Sequence, residues 1–472
     1  MKQFHLYLLM GFIVLGTGCV SSGTTGSAGP LKVPTTYNKS APLVSLFMHS
    51  DEMTGPGVSI TIESIELFDG QQWLSFLDKS FRYDSGFQKN EQVFVNRLEV
   101  NPGEYSKIKI TVSNAEMVDS AGSYQMALES NTVVIDLPVP LLFKQYDRQC
   151  LFVVFDKQAS LNINNKLFRP VFRAYPQEIS LTSELAYVSC PDIDTVFIVR
   201  SDTNRVVGSW SVTGKPTYLK AFKDSDEIYI LAEKEHAIKI YQLSSGRLKD
   251  TITVPLIVNP AVMVINSSKT NAYLLDSASD FAYRVDLSTK SYATRMRIGE
   301  KPEYLVYVED QQRLAISSQR SQKIYFLDPI TLATLDTISA GSGSSGMYPY
   351  DGKLFIAESS SNSVMSYNFR SGKVLRNTVG MGPQRIIEYD DQLFVTNEKS
   401  GTVSVLLPDQ LTTLKEIRTG GKPHEMALSS NRRWLYYSDV SKGSVGVIDL
   451  TSHRLKTTID LGAVPLDIEI IN

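Results

Sequence analysis

Five histidines are spread over 472 residues, and the four beyond His5 give little to build chemistry from. His49, His236, His424 and His453 stand far apart, without the spacing by which imidazoles share a zinc ion or a haem. There is no Cys-x-x-Cys, no glycine-rich phosphate loop between a strand and a helix, and no Gly-x-Ser-x-Gly elbow. Asp276–Asp280 (DSASD) sets two carboxylates close together, but it lacks the spacing and terminal Glu of a calcium loop and falls where a hairpin turn belongs. No catalytic residue, metal ligand or cofactor is therefore assigned.

The residues best placed to meet a ligand flank a recurring Gly-(Lys)-Pro element. TGKPTYL starts at Thr213, GEKPEYL at Gly299, GMGPQRI at Gly380 and TGGKPHEM at Thr419. Lys215, Lys301 and Lys422 stand just before the proline; Tyr218, Tyr304, Arg385, His424, Glu425 and Asp467 stand just after it or after its equivalents. If these elements surround one axis, they form a ring of aromatic faces, cations and acids at the mouth of a channel. Such a ring suits a carbohydrate, a peptide or a small anion.

What would gather them is a repeat. Proline markers fall at Pro176, Pro216, Pro260, Pro302, Pro383, Pro423 and Pro465, in steps of 40, 44, 42, 81, 40 and 42 residues. The step of 81 is two repeats with the marker lost near GSGSSGMY. After each proline come an apolar run, a polar turn and further short strands, so a period near 41 residues predicts seven four-stranded propeller blades. Glycine permits the positive φ needed to cross between blades, and proline starts a strand without offering a ladder donor. The segment Pro465–Ile471 reads as a lone inner strand that seals the ring against Leu185–Val212, with Glu178–Thr182 as its competitor.

AYVSC, FVTNEKSGTVSVL and GGKPHEMALSSNRRWLYYSD resemble the β-propeller repeat family named for a Tyr-Val-Thr-Asn strand motif. That resemblance implies a propeller over residues 176–472, common in envelope and surface proteins and mostly without known catalysis.

The chain opens differently. Lys2, an apolar run from Leu6 to Leu15, and Gly16-Thr17-Gly18-Cys19 read as a secretory signal over residues 1–18, too short to span a membrane. The small residues before Cys19 resemble a bacterial lipobox, which implies lipidation of that thiol. Val20 after it resembles the sorting signal for the outer membrane. Residues 19–42, rich in Ser, Gly and Thr, read as a flexible tether.

Residues 43–175 alternate short apolar runs with turns such as DGQQ and NPGEY, the pattern of an antiparallel β-sandwich. LVSLFMHSDE, GVSITIESIELFDGQQW and NPGEYSKIKITVSNAEM resemble a domain of unassigned function found in bacterial envelope lipoproteins. Ser50-Asp51-Glu52 stands where that family has an Asp-Ala-Pro-like turn.

Lys and Arg number 47 and Asp and Glu 50, so no charge excess points to nucleic acid. The expected fold is all-β: a sandwich followed by a seven-bladed propeller closed by the C-terminal strand. The expected function is a non-enzymatic scaffold, tied by its lipid to the outer membrane and facing either periplasm or exterior. It would bind an envelope protein, peptide or glycan. The alternative is a propeller enzyme of the lactonase or cofactor-dependent dehydrogenase type, with its site in the channel. Cys150 and Cys190 read as two separate buried thiols.

Overall fold

The computed structural model describes residues 37–50, 56–85, 91–119, 122–177 and 184–471. The signal, Cys19, the tether to Thr36, the Asp51-Glu52 turn and the competing segment at 178–182 lie outside the described residues.

Two sheets face each other in the N-terminal part. One runs Phe172–Pro176, Arg148–Phe155, Leu43–His49, Val93–Glu99; the other centres on Gly57–Phe68 and Gly103–Asp119, with four shorter or flanking strands. Ile60, Ile62, Ile65 and Leu67 from one long strand meet Ile108, Ile110 and Val112 from the other, together with Val44, Leu46 and Met48 from the opposite sheet. Alternation along each strand fills this core, as a half-buried sheet requires. Leu43–His49 and Arg148–Phe155 pair in parallel, so the first sheet is mixed.

Leu43–His49 is buried on both faces, which explains its nearly continuous apolar run. Leu43 and Phe47 point away from the sandwich core. With Cys150 and Phe152 they share a second core with Ala186, Val188, Phe197, Trp434 and Tyr436. Sandwich and propeller are thus joined by a common hydrophobic layer. Gln177, at the junction, completes it by accepting from Cys150 N and Ser209 N and donating to Ser209 O.

Residues 185–470 form seven antiparallel sheets of four strands each. Six have all four strands consecutive in sequence. In the remaining one, Ile468–Ile470 supplies the innermost strand beside Leu185–Cys190, with Val188 opposite Ile468 and Ala186 opposite Ile470. Closure by the C-terminal strand removes the open edge. Pro176 is corrected by this arrangement: it ends a sandwich strand opposite Leu151 and begins no blade. The lost fifth marker is Ser344, the first residue of its inner strand, opposite Glu358 as Pro302 is opposite Ser318.

The crossing chemistry follows the turn geometry. Gly214 and Lys215 both take positive φ, 90° and 63°, before Pro216 starts the strand. Asp276 accepts from the amides of Val258 and Asn259 on its crossing and of Ala278 in its own hairpin, and Asp439 does the same for Lys422 and Ser441. DSASD is accordingly a blade corner.

Candidate functional site

Every inner strand that starts a blade carries an irregularity just past its first residue, for example between Pro383 and Ile386 and between Pro423 and Met426. A bulge there re-aims a side chain out of the ladder. The residue two places beyond the marker is Tyr218, Val262, Tyr304, Gly346, Arg385, Glu425 or Asp467 around the ring. Four of these meet one another at the hub, Tyr218, Tyr304, Arg385 and Glu425, and Asp467 stands beside them.

Arg385 Nε donates to Glu425 Oε1 at 2.5 Å, and Arg385 Nη2 donates to Tyr218 Oη at 3.2 Å. Tyr218 Oη in turn donates to Glu425 Oε1 at 3.1 Å, closing a triangle. The guanidinium lies 4.3 Å from the centroid of Tyr304, a cation–π contact in a dry setting. Gly346 makes room for it: a Cβ there would lie 2.2 Å from Gln384 O and 3.0 Å from Arg385 Cδ. Asp467 accepts from Leu219 N at 2.7 Å and from Ile468 N at 2.9 Å.

Burial governs the electrostatics. It works against the Arg385 charge, but Glu425 and the two tyrosines outweigh it and hold the proton more firmly than usual. Burial, then the Glu425 charge, pushes Tyr218, Tyr304 and Asp467 upward. His424 is driven down to about 4, by burial first and by Arg385 second. Its Nδ1 is buried 3.8 Å from Glu425 Oε1 and has no hydrogen-bond partner among the described residues. The site therefore holds one paired cation, one paired acid, an Asp467 carboxyl shifted upward by burial and a neutral imidazole.

The three lysines are not at the hub. Lys215 Nζ pairs with Glu233 at 2.7 Å, Lys301 Nζ donates to Gln319 Oε1 at 2.5 Å, and Lys422 Nζ lies 3.8 Å from Glu398. They stand on the crossings, each one residue before its inner strand begins. Among the described residues no group of three or more His, Cys, Asp or Glu is arranged to hold a metal ion.

Sequence reasoning missed the hydroxyls behind the ring. Thr396 Oγ1 accepts from Arg385 N and donates to His424 O of the next blade. Ser438 repeats this between Glu425 N and Leu466 O, and Ser189 between Asp467 N and Thr217 O. Each satisfies the bulged amide and stitches one blade to its neighbour. The signal was present as the small hydroxyl residue in AYVSC, FVTN and YYSD.

No protein-family model matches the chain, and no curated protein sequence does. Solved structures do. A protein of unknown function from Desulfotomaculum acetoxidans has 13% identity, covers 61% of this chain and 99% of its own, and gives a TM-score of 0.55. A candidate 6-phosphogluconolactonase from Bacteroides fragilis has 13% identity, with 62% and 100% covered and a TM-score of 0.53. A periplasmic gluconolactonase from Pseudomonas aeruginosa has 13% identity, with 61% and 99% covered and a TM-score of 0.53. At such identities the likeness establishes the fold alone, a β-propeller.

Proposed function

We propose that the chain is a non-enzymatic binding scaffold of the bacterial cell envelope. A lipid on Cys19 holds it at the outer membrane, and the propeller face that carries the crossings meets a protein, peptide or glycan partner. The observation that carries this reading is the hub itself. Arg385 and Glu425 engage each other and two tyrosines, and Asp467 engages two backbone amides. Groups bound to one another in this way brace five of the seven blades and leave little free to act on a substrate. A rigid disc then offers its partner a surface that needs little ordering on binding.

A second reading is favoured by the neighbours named as lactonases. In it, neutral His424 beside Glu425 would activate water while Arg385 polarised a lactone carbonyl. Incubation of the purified mature chain with glucono-δ-lactone separates the two. The scaffold reading expects hydrolysis no faster than in buffer; turnover abolished by His424→Gln would establish the enzyme instead. Photo-crosslinkers placed at Lys301 and Lys422 in living cells should yield a discrete adduct. For the anchor, Cys19→Ala should move the protein from the membrane to the soluble fraction, and retention would remove the lipid from the account. Lipidation supplies about 0.8 kcal/mol per buried methylene, so two or three acyl chains suffice for lasting attachment.

A further inference from the structure

Strand direction puts all crossings between blades, and the hairpin turns joining each second and third strand, on one face of the disc. Going round that face, the sector of the sixth and seventh blades differs from the rest. Met381, Lys399, Lys422, Lys442 and Val464 are all exposed there, Met381 at 54% and Val464 at 41%.

These residues form one continuous surface. Lys399 N donates to Met381 O at 3.1 Å, and Gly401 abuts Gly421, where a Cβ would lie 2.7 Å from Gly421 O. Lys422 N donates to Ser441 Oγ, Lys442 Nζ reaches Thr419 O at 3.4 Å, and Gly443 borders Ala463, the neighbour of Val464. Gly382 and Gly420 lie directly beneath two of the lysines: a Cβ would fall 2.8 Å from Lys399 Cγ at the first and 3.3 Å from Lys442 Nζ at the second. Glu398 lies 3.8 Å from Lys422, and Asp439 is buried beneath the same crossing, where it accepts from Lys422 N. On the second and third blades the same face carries paired charges instead: Lys215 with Glu233, Lys239 with Glu235 and Arg297 with Asp280.

We infer that this sector docks an extended acidic protein segment carrying apolar side chains, an inference that rests on the scaffold reading. Charge complementarity selects the sign of the partner. Met381 and Val464 flank the lysines as apolar anchors, which a purely anionic polymer would not need.

The test uses the mature full-length chain and a fluorescein-labelled peptide in which Glu and Asp alternate with Leu, read by fluorescence anisotropy. Binding should weaken with added salt, since exposed pairs are screened beyond about 8 Å at physiological ionic strength. The combined variant K399E/K422E/K442E should weaken it at least ~tenfold, as like-charge juxtaposition does at an interface. M381S/V464S should weaken it as well. Lys234→Glu, on the opposite sector, should leave it intact, and unchanged melting temperatures would show that the variants are folded. The inference is overturned if the peptide fails to bind, if the triple reversal is without effect, if a Ser-for-Leu peptide binds equally well, or if phosphatidylglycerol vesicles bind in its place. Lactone turnover would overturn the scaffold reading without touching these results, so the two failures are distinguishable.

Discussion

Arg385 Nε and Glu425 Oε1 meet at 2.5 Å at the centre of the ring, joining neighbouring blades. Both side chains are under a tenth exposed. The pair is stitched sideways to Tyr218, from a blade 167 positions earlier in the chain than Arg385. The hub thus senses whether the circle has closed.

Glu425→Gln should therefore be costly. It leaves a buried guanidinium without its counter-charge, a defect of about 3–5 kcal/mol. Replacing both partners, as Arg385→Met with Glu425→Leu, should recover much of the loss, because no unpaired charge remains. Urea unfolding of the two variants checks this. Equal destabilisation by the single and double changes would show that the pair serves no purpose beyond its volume.

His424 sets a pH dependence with a definite sign. Its folded-state value is about 4, below the ordinary 6.5, because burial and Arg385 disfavour the imidazolium while Glu425 only partly offsets them. The unfolded chain then binds the proton first as the pH falls. Stability from this group is complete above about pH 6.5 and is lost progressively towards pH 4, by roughly 3 kcal/mol. His424→Gln should flatten the profile in that window relative to wild type. Asp467 shifts in the opposite direction but is present in both proteins, so the difference isolates the histidine.

Much of this was legible in the chain because the geometry repeats. Proline at the head of each inner strand gave the period, and the residues just after it include Tyr218, Tyr304, Arg385, His424, Glu425 and Asp467. Ser344 hid one marker because a serine can also start a strand. Lys215, Lys301 and Lys422 sit one residue before the proline, where the backbone is still crossing, so they stay on the rim of the face and not in the hub. The contact of Tyr218 with Glu425, 207 residues apart, depends on ring closure and leaves no local trace. Nor does the run LVSLFM disclose that its second face covers a propeller.

Cys150 and Cys190 are free thiols within the layer between sandwich and propeller. Burial pushes Cys150 up to about 12 and raises Cys190 further. Since the thiolate is the reactive species, both should resist alkylation. In a Cys19→Ser protein, Ellman's reagent should find almost no thiol in the native state and two in guanidinium. Rapid native labelling would mean that the layer opens.

The same layer makes the sandwich a fastener of the ring. Arg97, 6% exposed, donates from Nε to Ser45 Oγ at 2.9 Å, and from its two terminal nitrogens to Gly462 O and Leu461 O at 3.0 Å each. Those carbonyls belong to the crossing that leads to the closing strand. Gly462 holds φ at 58°, and a Cβ there would fall 2.1 Å from Phe94 Cε1. Gly462→Ala should thus lose about 2–4 kcal/mol, part from the left-handed backbone and part from overpacking. Adding Phe94→Ala relieves only the second part, so the double variant should melt above Gly462→Ala when compared with Phe94→Ala alone as its reference. Arg97→Met should expose the Leu185–Cys190 edge to proteolysis, because the closing strand loses the clamp on the crossing before it. If Arg97→Met leaves both melting temperature and protease resistance unchanged, closure is secured by Ile468–Ile470 alone and the sandwich is a passenger.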